Sequence, residues 1–454
     1  MKKAKERAKT KTFKSDNGIT LIVLVVTIVV LLILAGITIS LVFSDTGIIA
    51  KAKAAAEKTN QALINEQEQM NELDTTINNM LNGMGESIPP KPEGPEMPEG
   101  PEMPEGPEMP EGWDGTKVNA VESADKVIVP VPKGYTASSV STENKVSEGF
   151  VIYENANGED KKEEVNDNNK EIAQTTRNQF VWVPVANPSD MYGTDKDGKK
   201  WGKLYNFSAS GITSLNWTEK DNVISITAIS GSISNREPDL VNGSGTQYDA
   251  DNSNLQQAGL DSDANSNTFK IQLEKEFKNM IASVEKYGGF YIGRYETGNL
   301  SQEKVCVIKN NSDINNQTWY TMYNKAKKVA VNRNVTSSMI WGSQWDATMR
   351  WMYNSGNAEK KKYTYDSTGK GNYSGTNGDK PIATGTNDIY AVNNIYDMAG
   401  NVYDRTIETS NTGYRVGRGG NYSYNGTDNP VSSHFIYRPT ANGNYGGLRV
   451  SLYM

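Results

Sequence analysis

The sequence predicts an α+β protein built from three unlike parts: a long N-terminal helix that crosses a membrane, an extended polyproline stalk, and a domain of short strands, two helices and long irregular loops. Three observations predict it. A basic leader runs into an uncharged apolar stretch, Pro and Glu each recur every third residue between Pro92 and Gly112, and from Trp113 onward short β-branched or aromatic runs alternate with Gly/Asn/Ser/Asp loops. The boundaries are 1–18 for the leader, 19–45 for the membrane helix, 46–85 for a helical extension, 86–112 for the stalk and 113–454 for the domain, with its core at about 175–454.

Lys2, Lys3, Lys5, Arg7, Lys9, Lys11 and Lys14 precede the run "ITLIVLVVTIVVLLILAGITISLVF", Ile19 to Phe43. About 25 residues at ~1.5 Å each reach across a bilayer core of about 30 Å. The basic cluster favours the cytoplasmic side, which predicts a single-pass membrane protein with its C-terminal domain extracellular. The junction "KSDNGITLI" resembles the prepilin cleavage site of type IV pilins and pseudopilins of Gram-positive bacteria. That resemblance implies a prepilin peptidase cutting after Gly18, an N-methylated Ile19 as the first mature residue, other pilin subunits as partners, and display on a Gram-positive cell surface. An uncleaved signal anchor is the alternative. Filament-building pilins usually carry Glu at the fifth mature position, where this chain has Val23, and this points to a minor pilin or an anchored pseudopilin.

Beyond the membrane run, Ile49, Ala52, Ala56, Thr59, Leu63, Glu66, Met70, Leu73, Ile77 and Met80 keep helical spacing, all but Thr59 and Glu66 apolar, giving one seam that faces either the protein's own domain or a neighbouring subunit. Gly83, Gly85, Pro89 and Pro90 end it. The repeat "PEGPEMPEGPEMPEGPEMPEG" then favours polyproline II, because each Pro lacks an N–H for helix or ladder; roughly twenty residues at ~3.1 Å each span about 60 Å. Stacked Glu side chains repel and keep it extended, which suits a spacer better than a proline-rich ligand.

Within the domain, "KVIVPVPKGY", "GFVIY", "NQFVWVPV" and "GGFYIGRYET" read as strands. "TFKIQLEKEFKNMIASVEKYG" reads as a helix with Phe269, Ile271, Leu273, Phe277, Ile281 and Val284 on its apolar side. "WGSQWDATMRWMYNSG" reads as a second helix, with Trp341, Trp345, Met349 and Met352 recurring at helical spacing. Residues 191–263 read as loops.

Composition excludes several chemistries. The formal net charge of −7 argues against nucleic acid as a partner. One Cys, Cys306, and one His, His434, leave no intrachain disulfide and no Cys/His zinc site. The residue types alone place His434 at the surface or in a loop.

An ordered set of motifs, "FVWVPV" at 180–185, "GGFYIGRYET" at 288–297, "WDATMRWM" at 345–352, "NIYDMAGNVYD" at 394–404, "RVGRGGNY" at 415–422 and "GGLRV" at 446–450, resembles the formylglycine-generating enzyme, or sulfatase-modifying factor, domain. The resemblance covers about 175–454 and implies a C-type-lectin-like fold, with a small antiparallel core, two helices and extensive loops. Oxidase members of the family hold copper with paired cysteines, and those positions correspond here to Tyr424 and Asn429; sister branches hold iron with histidines. Without either ligand set the resemblance implies a catalytically inactive scaffold. It also implies a structural Ca²⁺ near "DMAGNVYD", with Asn401 and Asp404 as ligands, the alternative being a hydrogen-bonded turn.

The segment from Asn421 to Gly447 is rich in Tyr, Asn, Ser and Gly, the residue types of antibody-like binding loops, and of turns. It resembles the variable segment of retroelement-diversified lectin-like proteins. Tyr422, Tyr424, Asn425, Asn429, His434, Tyr437, Asn442, Asn444 and Tyr445 are the candidate contacts for an extracellular protein or glycan. The expected function is a surface-exposed, pilin-like protein that displays an inactive head for binding or adhesion. The alternatives are a structural pseudopilin of a secretion or DNA-uptake system, and an exported enzyme using carboxylates such as Glu296 and Asp404.

Overall fold

A computed structural model describes residues 107–454 except 161, 195–197, 199, 219–222, 226–233, 236–251, 301–304, 331–333 and 410–413. The processing positions Gly18 and Ile19, the apolar run, the helical extension and the repeat as far as 106 lie outside the described residues. All described residues belong to one compact unit, Glu102–Met454.

The expected fold class needs correction. The described residues form a mixed body of strands and helices, and among them no helix is long and apolar enough to cross a membrane. The longest, α1 (Ser266–Tyr287), has 22 residues, but only one face is apolar. Phe269, Leu273, Phe277, Met280, Ile281 and Val284 are buried, while Lys275, Lys278 and Lys286 are exposed. Ile271, expected on the buried side, is 57% exposed, because the stripe that packs runs through 269, 273, 277, 280 and 284. Asn265 caps the helix by accepting from the Asn267 and Thr268 N–H groups, and Gly288, at φ 78°, ends it in the left-handed conformation. The small two-helix core implied by the family resemblance is also exceeded: α2 (Trp319–Ala326) joins the two helices read from the sequence, and the sheets are larger than expected.

The central sheet has six strands. In chain order these are β3 (Tyr135–Ala137), β4 (Val151–Glu154), β5 (Gln179–Pro184), β6 (Gly289–Gly293), β7 (Thr336–Met339) and β12 (Val450–Tyr453), arranged 7-12-6-5-4-3, with every pair antiparallel. Phe180, Val181, Trp182 and Val183 of β5 are all buried, so both faces of the sheet centre are covered, and this is why the strand reads as a continuous apolar run. A separate hairpin, β1 (Val118–Glu122) with β2 (Ile128–Pro132), precedes it. Helix α3 (Gly342–Tyr353) buries Trp345, Met349 and Met352, with Trp341 at its N-cap.

A second sheet carries the site. Its strands are β8 (Tyr403–Thr409), β9 (Arg415–Arg418), β10 (His434–Tyr437) and β11 (Gly446–Leu448), in the order 10-9-8-11, with β8 and β11 parallel. The 191–263 region, read as loops, holds the hairpins Tyr192–Thr194 with Lys200–Gly202 and Tyr205–Ser208 with Gly211–Ser214, and the helix Asn252–Gln257. Strands of three or four residues with a single buried alternation, such as Tyr205 and Phe207, are too short for a periodic signal to stand out.

Candidate binding face and the buried charges beneath it

Three of the quoted motifs owe their arginine to the core. Arg294, from "GRYET", is buried and reaches Glu143 at 2.8 Å, with the Tyr153 hydroxyl and Gln179 Oε1 as further partners. Arg418, from "RVGRGG", pairs with Asp346 at 3.0 Å and Glu408 at 2.9 Å and donates to the Ser432 carbonyl. Arg449, from "GGLRV", pairs with Asp404 at 2.6 Å and donates to the Gly293 and Tyr396 carbonyls. Each guanidinium ties together segments distant in the chain through charge-assisted bonds in a dry interior. Losing one partner of such a pair costs about 3–5 kcal/mol, because the other charge is left buried.

The signature "NIYDMAGNVYD" sits among these charges. Asn401 is buried at φ 55° and locks a turn: its amide donates to Glu296 and to the Ile382 carbonyl, and its Oδ1 accepts from Asn372 Nδ2 at 3.1 Å and the Ile382 N–H at 2.9 Å. Both lone-pair positions of that oxygen are used within the protein, so Asn401 does not fit the expected role of calcium ligand. Asp404 gives one oxygen to Arg449, and burial pushes its carboxyl up to about 6 despite that partner. Glu296, held by Asn401 and the Val402 N–H, is raised well above its ordinary value by burial and then by Asp397, Asp313 and Asp404. Among the described residues no group of three or more His, Cys, Asp or Glu side chains is arranged to hold a metal ion. Cys306 is buried, with its sulfur accepting from Asn311 at 3.0 Å.

His434 is corrected from surface to core. It lies on β10 opposite Arg418, is buried, and its Nε2 is 3.4 Å from Glu408. Burial first, then Arg418, holds its pKa well below the ordinary imidazole value. The next residue alternates outward: Phe435 is 40% exposed.

That alternation builds an aromatic face. Tyr403 stacks on Phe435 with ring centroids 4.6 Å apart and 13° between planes, and Tyr424 meets Tyr403 at 6.3 Å. Tyr422 stacks on Tyr445 at 5.4 Å, and Tyr437 lies under the Arg405 guanidinium at 4.5 Å. The backbone fixes the segments to one another: the Tyr403 N–H donates to the Tyr445 carbonyl at 2.7 Å and the Tyr422 N–H to the Asn401 carbonyl at 3.0 Å. Tyr424 is 42% and Tyr445 50% exposed, unusual for large rings held this firmly.

Of the sequence candidates, Tyr424 and Tyr445 are therefore exposed on this face, while Tyr422 is buried and backs it through its stack with Tyr445. Asn442 and Asn444 are exposed beside Tyr445. Asn425 closes a local turn, accepting from the Thr427 and Asp428 N–H groups and donating to Asp428, and Asn429 is half-buried with its carbonyl taken by the Tyr373 hydroxyl. Sequence reasoning missed Tyr403 and Phe435. The period of two in "HFIY" would have paired an inward His434 with an outward Phe435.

No family model matches the chain, and no curated protein matches it. Among solved structures the chain is similar to Treponema denticola variable protein 1, at 15% identity and a TM-score of 0.26, over 37% of this chain and 85% of that one. It is similar to PvdO from Pseudomonas aeruginosa at 14% identity and a TM-score of 0.25, over 37% and 82% of the two chains.

Proposed function

We propose that the described body is a non-enzymatic binding head whose contact surface is the aromatic face of Tyr424, Phe435 and Tyr445, backed by the buried rings of Tyr403 and Tyr422. The observation that carries the proposal is the exposure of Tyr424, Phe435 and Tyr445 on rings fixed by stacking and backbone bonds. Rigid aromatic rings supply contact area at low conformational cost, and Tyr is over-represented where binding energy concentrates. The occupant is an extracellular protein or glycan. The basic leader, the apolar run 19–43 and the resemblance of "KSDNGITLI" to a prepilin junction support display at a Gram-positive cell surface, in the manner of a pilin-like protein.

The resemblance to the formylglycine-generating enzyme domain supports the scaffold half of this reading. Where the oxidases carry thiols, this chain has Tyr424 and Asn429; Glu296 is held by Asn401 and the Val402 N–H, and one oxygen of Asp404 by Arg449. The full-length protein, offered to arrays of glycans and of bacterial and host surface proteins, should retain a discrete set of ligands. Supplied with copper and a sulfatase-type cysteine peptide, it should leave the peptide unoxidised. Copper-dependent turnover of that peptide would overturn the non-enzymatic reading.

A further inference from the structure

Outside the segments that build the aromatic face, a cavity of about 720 Å³ opens between the β1–β2 hairpin and the edge strand β3. Its volume falls within the range of small-molecule sites. Val131, Tyr135 and Phe150, each at most 3% exposed, give it an apolar, partly aromatic floor. Asn119, Ser139 and Asn144 supply polar walls.

Two of its lining residues carry a buried polar atom with no partner among the described residues, the Tyr135 hydroxyl and Asn144 Oδ1. Leaving such groups unpaired costs about 1–3 kcal/mol each, so their presence needs a reason. The walls are fixed in advance. Asp125, in the hairpin turn, accepts from Ser123 Oγ at 2.7 Å and from the Val146 and Ser147 N–H groups at 2.9 and 2.8 Å. The Ala124 N–H donates to the Asn144 backbone carbonyl at 2.8 Å, which pins that residue by its main chain.

The rim selects against charge. It carries Glu122 and Asp160 against Lys126 and Lys162; Lys126 pairs with Glu122 at 2.5 Å, and Asp160 with Lys133 at 3.4 Å. Equal numbers of each sign favour neither an anion nor a cation. An amide oxygen asks for a donor, a phenol hydroxyl accepts or donates, and an aromatic floor suits the C–H face of a ring.

We infer that this cavity binds a neutral, polyhydroxylated ring, a monosaccharide unit, with hydroxyls bonded to Tyr135 and Asn144 and its apolar face on the floor. It is a site separate from the aromatic face.

The test titrates the full-length protein by saturation-transfer NMR with galactose, mannose and N-acetylglucosamine, and with glucosamine and glucuronate as charged comparators. At least one neutral sugar should bind saturably in the millimolar range or tighter. Tyr135→Phe and Asn144→Leu should each weaken it about tenfold, while melting temperatures hold or rise because a buried unpaired atom is removed. Tyr445→Ala should leave the binding unchanged. The inference is overturned if no neutral sugar binds saturably, if glucosamine or glucuronate binds more tightly than every neutral sugar, or if Tyr445→Ala abolishes binding that Tyr135→Phe preserves. The last result would place the sugar on the aromatic face, and the first leaves the proposed function of that face untouched.

Discussion

Asp346 lies in the core with Arg418 at 3.0 Å and accepts the Tyr205 N–H at 2.8 Å, yet burial pushes its carboxyl up to about 7, with Glu408 adding to the rise and Arg418 opposing it. A carboxyl whose folded pKa is raised holds its proton more firmly in the folded chain. Its contribution to stability therefore falls as pH rises from the unfolded value, 3.8, through the folded value of about 7. Asp404 acts in the same sense up to about 6, whereas the depressed His434 acts in the opposite sense, with its stabilisation lost as pH falls below the ordinary imidazole value of 6.5. Asp346→Asn keeps an acceptor for Tyr205 and removes both its titration and its charge beside Arg418, so the variant starts less stable and is compared by its change with pH alone. Melts at about pH 5 and about pH 8 should show the wild type losing more stability on going alkaline than the variant. Equal losses would mean that Asp346 stays ionised throughout. None of this was legible in the sequence, since a lone Asp or His reads as surface until its partners from other segments are known.

The turn after β9 decides where the aromatic rings sit. Gly419 has φ 92°, and a Cβ there would lie 2.2 Å from the Met398 carbonyl oxygen, so the position combines a left-handed backbone with close approach to the signature turn. Gly419→Ala should cost about 1–3 kcal/mol and shift Tyr422, two residues on from Gly420, out of its stack with Tyr445. A lowered melting point together with a changed near-UV circular dichroism spectrum would bear this out; an unchanged melt would mean the turn relaxes without strain. Elements with a long or strong period were legible: α1, α3 and the runs that became β5 and β6 fall where the sequence placed them. The short hairpins in 191–263 were not, because strands of three or four residues offer too few alternations for a period to stand out.

At the scale of the whole molecule, burial divides the motifs from the face beside them. Arg294, Arg418, Arg449 and Asn401 of the motifs are buried and hold segments together, while the exposed rings, Tyr424, Phe435 and Tyr445, lie in the segment between the last two motifs. Part of the face was visible in the sequence as a Tyr-rich segment; Phe435 was signalled there only by the alternation in "HFIY", and Tyr403 arrives through strand pairing across β8, β9 and β10, which no local pattern states. The division predicts that function can be removed from the surface without unfolding the body. The most direct test is the affinity of the full-length protein for one array-selected ligand, measured beside thermal melts for wild type, Tyr424→Ala and Tyr445→Ala. Truncating an anchoring ring costs about 2 kcal/mol or more, so each variant should bind roughly thirtyfold more weakly with its melting temperature little changed. Undiminished binding in both variants, or loss of binding only in step with unfolding, would contradict the assignment of this face as the contact surface.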